Sequence, residues 1–376
     1  MTELKFKTKK NYRFNNWYRI KILYVKNYIN LFLFYLLKVI LKSKRINDSR
    51  NILIVNSEQL GDIILSFDFL YSLIISSKYG EIFLVIDEQY VDLIRTVKLP
   101  ISVIGFSKNK YRHNIFYRYK FLARLNDMNL FLSINLSPER GSVNDELTIL
   151  CGSNNTICFS DKSLYYDNKI ILRYNKFYTT ILNHYEMNKY NIYQKLLEHL
   201  SIETFNYKIN IENDRLNNQY ILIAPSTLKF NKDWPRDYFF QLIKELSVEH
   251  KIKLLGTENQ AESLQKMRGL AKNVETEINL SFDEIIKLMG NAKLFVGLDS
   301  GMTHLALQMN KPLVAIIGGG SNGTFFPYKE NSNAIFLYFK MDCFGCNWNC
   351  IYKEKYCLTN VNVSTVIKSI KKLLNN

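Results

Sequence analysis

Residues 296–304 read VGLDSGMTH, and their layout decides the fold. An apolar strand, Leu294 to Val296, runs straight into Gly297-Leu298-Asp299-Ser300-Gly301, and a helix then opens through Met302, His304 and Leu305 to Met309. Such a turn sets backbone N–H groups at a helix N-terminus beside small residues, where a diphosphate can approach the main chain. Working outward, the same strand–loop–helix unit recurs. Tyr220 to Ala224 is a strand followed by Ala224-Pro225-Ser226-Thr227 and Lys232-Asp233-Trp234-Pro235, with Pro235 suited to a first helical turn. Ile252 to Leu255 leads into Gly256-Thr257-Glu258-Asn259-Gln260 and a helix over Ala261 to Leu270. Ser281 and Glu284 match a capping box before a helix to Met289, and strand Leu313 to Ile317 ends at Gly318-Gly319-Gly320. Apolar residues at Val363, Val366, Ile367, Ile370 and Leu374 predict an amphipathic terminal helix.

The first half repeats the alternation. Strand Ile52 to Val55 precedes Asn56-Ser57-Glu58-Gln59-Leu60-Gly61-Asp62 and a helix from Asp62 to Ser76. Strand Ile82 to Ile86, helix Val91 to Val97, strand Ile101 to Ile104, a basic helix Ile115 to Leu125 and strand Leu130 to Ile134 follow. Residues 151–200 show no clear order, and the polar run 203–219 reads as a connection between two units. Alternating short strands and helices predict an α/β protein with doubly wound parallel sheets, whose ligands sit at the carboxyl ends of the strands.

A chain of 376 residues fits two domains, and 47% hydrophobic with 14% aromatic residues excludes a disordered one. The net charge of +16 is unevenly placed: residues 1–50 hold 13 Lys and Arg against Glu3 and Asp48, a net +11, which leaves +5 for the rest. Within that basic extension the apolar run Asn27 to Leu37 falls well short of the roughly 20 residues a spanning helix needs. No small-residue cleavage site follows it, so it does not read as a signal peptide. A basic amphipathic helix lying on an anionic membrane surface fits, and so does one packed on the protein's own body. Outside the extension the charge is nearly balanced and no nucleic-acid motif occurs, so nucleic acid is not an expected partner.

SEQLGD (57–62), KDWP (232–235) and DSGMTH (299–304), in this order and at these spacings, resemble glycosyltransferase family 9, the ADP-heptose:lipopolysaccharide heptosyltransferases. The resemblance covers about residues 51–372. It implies a GT-B fold, with two Rossmann-like domains facing a central cleft. Residues 1–50 would be the membrane-surface extension, 51–210 the acceptor domain, 220–340 the donor domain, and 341–376 a Cys-rich segment with a final helix. The implied reaction is metal-independent inverting transfer of heptose, or a related sugar, from a nucleotide diphosphate, ADP-heptose first, to a lipopolysaccharide core or similar lipid-linked oligosaccharide. The implied place is the cytoplasmic face of the inner membrane, peripherally bound. A same-fold transferase with another donor, or a catalytically silent nucleotide-sugar-binding scaffold, remains open.

The chain has no Asp-x-Asp pair to hold a metal–diphosphate, so the leaving group's charge falls to Lys232 and the N-terminus opened by Ser300-Gly301. No cofactor is then required for catalysis. In-line inversion needs a base for the acceptor hydroxyl, and Asp62 matches the family's position, although an Asp there also serves as a helix N-cap. Asp62 and Lys232 are therefore the catalytic candidates. Donor contacts are expected from Ser226, Thr227, Lys232, Asp299, Ser300, Gly301 and His304, and acceptor contacts from Ser57, Gly61, Arg118 and Arg124. The family carries a ribose-holding Glu a few residues after the third-motif Gly. Here Glu258 comes early and Gln260 stands at the usual offset, leaving either for the ribose. Cys343, Cys346, Cys350 and Cys357 could hold a structural zinc, stay as free thiols or pair oxidatively.

Overall fold

The computed structural model describes residues 10–41, 49–160, 168–184, 187–209, 220–227, 232–321, 323–326 and 332–375, with the backbone alone for 10–24, 168–169 and 321. Most of the connection expected over 203–219 lies outside these residues. The described residues up to Asn206 cluster into one compact unit and those from Tyr207 into another.

The N-terminal unit is built on six parallel strands: β1 (Asn51–Val55), β2 (Ile82–Asp87), β3 (Ser102–Phe106), β4 (Leu130–Asn135), β5 (Asn155–Phe159) and β6 (Thr180–Leu182). They are ordered β3-β2-β1-β4-β5-β6. The central strands are apolar on both faces because helices cover both; Ile52 to Val55 are wholly buried. The second unit repeats the design with β7 (Tyr220–Ile223), β8 (Lys251–Gly256), β9 (Val274–Ile278), β10 (Ala292–Leu298), β11 (Leu313–Ile316) and β12 (Ala334–Leu337). Its order is β12-β11-β10-β7-β8-β9, again all parallel. In each sheet the order reverses between its two middle strands, β1/β4 and β7/β10, where a crevice at the strand ends takes a ligand.

Several elements lie where the sequence pattern was silent. The stretch 151–200 holds β5, β6 and two helices, Asn168–Asn175 and Lys189–His199. β9 is an edge strand with residues of alternating character, and Lys251 and Lys253 of β8 pair with its Glu275 and Glu277. The helix expected over 62–76 starts at Leu60 and breaks at Ser66, whose hydroxyl donates to the Ile63 carbonyl at 2.7 Å.

The basic extension forms one helix, Lys10–Ile40, and no helix among the described residues is long and apolar enough to cross a membrane. Its C-terminal half carries two apolar rows. Leu31, Phe34 and Leu37 are buried in the N-terminal core, with Phe34 edge-on to Tyr174 at 4.9 Å and 5.2 Å from Phe177. Val25, Ile29, Phe32, Leu36 and Val39 are exposed, Phe32 by 69% and Val39 by 76%. Phe34→Ala is expected to lower the unfolding free energy by about 3 kcal/mol, and Phe32→Ala by less than about 0.5 kcal/mol, in urea titrations.

Candidate functional site

In the N-terminal unit, β1 delivers Asn56 to Asp62 to the carboxyl edge of the sheet. The turn is tied down on all sides. Ser57 Oγ donates to Asn144, Glu58 Oε1 accepts from Ser137 Oγ at 2.9 Å and Asn144 Nδ2 at 3.0 Å, and the Lys108 ammonium donates to the Ser57 carbonyl. Gly61 lies in the first turn of the helix that follows. Asp62 is not that helix's N-cap, which is Gln59. It stands three residues later, and its Oδ2 reaches back to the Gln59 N–H at 3.3 Å. Its Oδ1 accepts from the Lys189 ammonium at 2.6 Å, with both side chains buried.

Beside this turn the helix Ser142–Leu150 brings Asn144, Asp145 and Glu146 into the interior. Glu146 receives Arg118 through a two-pronged contact, Nε at 2.7 Å on Oε2 and Nη2 on Oε1, plus the Tyr111 hydroxyl at 3.1 Å. Asp145 Oδ1 accepts from Arg140 Nε at 3.0 Å and the Tyr178 hydroxyl at 2.7 Å. Burial and these carboxylates push the Tyr111 and Tyr178 hydroxyls well above the usual tyrosine range, so both remain donors. Arg118, expected on an acceptor-facing basic surface, is therefore an interior residue: only 4% of it is exposed, and its charge is spent on Glu146. Arg124 is exposed on the same helix, with Lys120, Phe116 and Tyr119.

In the C-terminal unit the loop after β7 holds Ser226 and Thr227, both fastened to Asp233. The Ser226 hydroxyl donates to Oδ2, while the Thr227 N–H and hydroxyl each reach Oδ1 at 2.8 Å. Asp233 was not singled out by the motif; its role appears only when the loop is folded. Lys232 Nζ lies 3.3 Å from Asp299 Oδ2 and 5.3 Å from the centre of the Trp348 ring. Asp299 closes the end of β10, and Ser300 caps the helix Gly301–Gln308 with its extended backbone and no side-chain bond. His304 is buried in that helix, its ring stacked on Phe326 at 4.4 Å. Gln260 turns inward, accepting from the Thr257 N–H at 3.0 Å and donating to the Thr227 carbonyl at 3.3 Å. Glu258 points outward to Asn279 at 2.9 Å.

The segment after β12 is docked on the glycine turn. Gly345 and Asn347 N–H groups donate to the Gly319 and Gly320 carbonyls at 2.8 and 3.0 Å. A Cβ on Gly320 would lie 2.5 Å from the Trp348 indole, and one on Gly319 2.3 Å from the Phe344 ring. The four cysteines of this segment are free. Among the described residues no group of three or more His, Cys, Asp or Glu side chains is gathered to hold a metal. Burial, then the neighbouring cysteines, push the Cys343 thiol up.

The family model for glycosyltransferase family 9 (heptosyltransferase) matches residues 170–350, across the Lys232 loop, the Asp299 turn and the glycine turn. The chain is similar to glycosyltransferase family 9 over that stretch and is a distant homologue of the lipopolysaccharide heptosyltransferases. A Campylobacter coli lipopolysaccharide heptosyltransferase 1 is 24% identical over 356 residues, spanning 86% of this chain and 99% of the relative. Among solved structures, a family 9 glycosyl transferase from Veillonella parvula superposes with a TM-score of 0.72 at 17% identity, covering 88% and 99% of the two chains. An Escherichia coli heptosyltransferase solved with ADP-2-deoxy-2-fluoro heptose gives 0.64 at 15% identity over 86% and 99%. These likenesses place the chain in the GT-B fold.

Trp234 of the mid-chain motif is buried, and its indole N–H donates to the Val361 carbonyl at 2.9 Å. Trp234→Phe leaves that carbonyl without its donor and is expected to lower the unfolding free energy of the protein by about 1–2 kcal/mol in urea titrations.

Proposed function

We propose that the chain transfers heptose, or a closely related sugar, with inversion from ADP-heptose to a lipid-linked glycan of the lipopolysaccharide-core type. The observation that carries this reading is the meeting of Lys232 with Asp299 at the opening of the helix Gly301–Gln308. An ammonium and a helix N-terminus together suit the diphosphate of a nucleotide sugar, and a relative bound to a fluorinated ADP-heptose supports ADP as the nucleotide.

In the proposed reaction the acceptor hydroxyl oxygen attacks the anomeric carbon as the bond from that carbon to the diphosphate oxygen breaks. The hydroxyl proton passes to Asp62, and the ADP leaves with the bonding electrons. Lys232 and the N–H groups at Ser300 and Gly301 meet the charge that develops on the departing phosphate, so no metal enters the step. Asp299 orients sugar hydroxyls while holding Lys232. Glu258 takes the ribose hydroxyls in this reading, because Gln260 is already engaged inside the loop. Ser226 and Thr227, fastened to Asp233, shape the loop that holds the donor.

The same reading places the enzyme on an anionic membrane surface, at the inner face of the inner membrane, where a lipid-linked acceptor resides. The exposed row Val25, Ile29, Phe32, Leu36 and Val39, in a segment of net charge +11, supports that placement.

Asp62→Asn is expected to reduce kcat by at least about 100-fold while leaving ADP affinity, read by calorimetry, unchanged; full turnover would remove Asp62 from the reaction. Across ADP-, GDP- and UDP-sugars, thermal shifts should favour the ADP compounds, and a preference for another base would replace the donor assignment. Phe32→Glu with Val39→Glu should weaken sedimentation with phosphatidylglycerol vesicles about tenfold or more. Equal sedimentation would argue against the helix as the membrane contact.

A further inference from the structure

The Lys189 ammonium is in an unusual place for a cation. It is the first residue of the helix Lys189–His199, capped by Asn188, whose side chain accepts from the Asn191 N–H at 2.8 Å. The positive end of a helix dipole disfavours a cation there, and only 3% of the residue is exposed. A buried ion pair adds little to stability over a well-packed apolar pair, so folding alone gives this lysine no reason to be charged and inside. What it does is hold Asp62. Nζ lies 2.6 Å from Oδ1, across 127 positions of sequence. Among the described residues, the other carboxylate oxygen, Oδ2, accepts the long 3.3 Å bond from the Gln59 N–H and no other.

We propose that Lys189 is the positioning residue of the catalytic base: it fixes Oδ1 of Asp62 and leaves Oδ2 to receive the acceptor's hydroxyl proton. The proposal rests on the reading of Asp62 as the base. Among the described residues, the charged and titratable groups around the pair fit this division of labour. Glu58 and Glu139 come from the loops after β1 and β4, Tyr90 from the turn after β2, Lys108 from the helix after β3, and Tyr193 from one turn along the helix that carries Lys189. Burial works against the Lys189 ammonium, yet Asp62 first, then Glu139, Tyr193 and Glu58, hold its pKa above the usual lysine range. It therefore stays protonated and is not the group that exchanges the proton. Burial and Asp62 raise Tyr193 as well, so its hydroxyl is no competing base. The nearby Lys108 ammonium is already spent on the Ser57 carbonyl.

The test compares pH–rate profiles of the full-length chain with ADP-heptose as donor and inner-core lipopolysaccharide as acceptor. Lys189→Met removes a positive charge that opposes protonation of the carboxylate. The rate lost as pH falls is then lost sooner: the acid limb of kcat/KM should move up by about one pH unit or more. Loss of the fixed Oδ1 should also lower kcat on the pH plateau at least about tenfold, with the donor KM unchanged. Lys189→Arg keeps the charge and should return the acid limb to its original place, even if kcat recovers only in part. A purely structural lysine would lower the melting temperature without moving the limb. Should Lys189→Met fail to fold, Lys189→Gln keeps a hydrogen-bond donor without the charge, and the same upward movement is expected.

An unmoved acid limb in the folded uncharged variant, with Asp62→Asn inactive, overturns the role of Lys189 and leaves Asp62 as base. Turnover retained by Asp62→Asn overturns the base assignment itself, and the positioning role with it.

Discussion

A parallel sheet sends the carboxyl ends of all its strands to one edge, and in both units that edge is where charge is taken out of water. Asp62 meets Lys189 there in the first sheet, and Asp299 meets Lys232 in the second. Neither pair would survive burial alone: an isolated carboxylate or ammonium in that setting costs several kcal/mol, so each charge requires its partner. The partners are held by the backbone in turn. β1 is hydrogen-bonded to β2 and β4, and β10 to β7 and β11, which leaves the turns that follow them little freedom. The rigidity of the middle strands is what gives the charged groups fixed positions.

The C-terminal segment reinforces the second unit from outside its sheet. Trp348 lies on the glycine turn and beneath the Lys232 ammonium, and it holds a left-handed backbone with φ of 63°, next to Asn347 at 48°. A bulky residue adopts that conformation only where its surroundings dictate it. Here the bare turn Gly318 to Gly320 makes the room, and two backbone hydrogen bonds fix the approach. The final helix, Val363–Leu374, then sets Val366 and Ile370 into the same core as Trp234. The loop that carries Lys232 is thus braced by residues more than a hundred positions downstream.

The middle strands and the turns after them were legible in the sequence because fully buried strands are continuous apolar runs and their turns carry Gly, Asp and Ser in fixed order. Of the edge strands β3 was legible, but β6, β9 and β12 were not. β9 reads VETEI, with no apolar run of its own, and its Glu275 and Glu277 meet lysines of β8, the strand it pairs with. Asn144, Asp145 and Glu146 carry no motif of their own, yet they are interior: Arg140 pairs with Asp145, Arg118 with Glu146, and Asn144 meets Ser57 and Glu58. Arg118 misled for the same reason: on a helix of basic residues it looks like its solvent-facing neighbours, and only the position of Glu146 turns it inward. Lys189 left no local signal at all, since its meaning depends on a carboxylate far away in the chain. In the donor unit the motif residues were visible, but Asp233, which anchors Ser226 and Thr227, was hidden between two more conspicuous neighbours.

The N-terminal helix joins opposite behaviours in one rod. Phe34 closes the interior beside Tyr174 and Phe177, while Phe32, two positions earlier, stands in solvent. Deleting the first forty residues to cure stickiness would therefore strip away greasy bulk and a structural plug together. The shortened enzyme would trade one adhesive surface for another, whereas changing the outward row residue by residue separates handling from integrity.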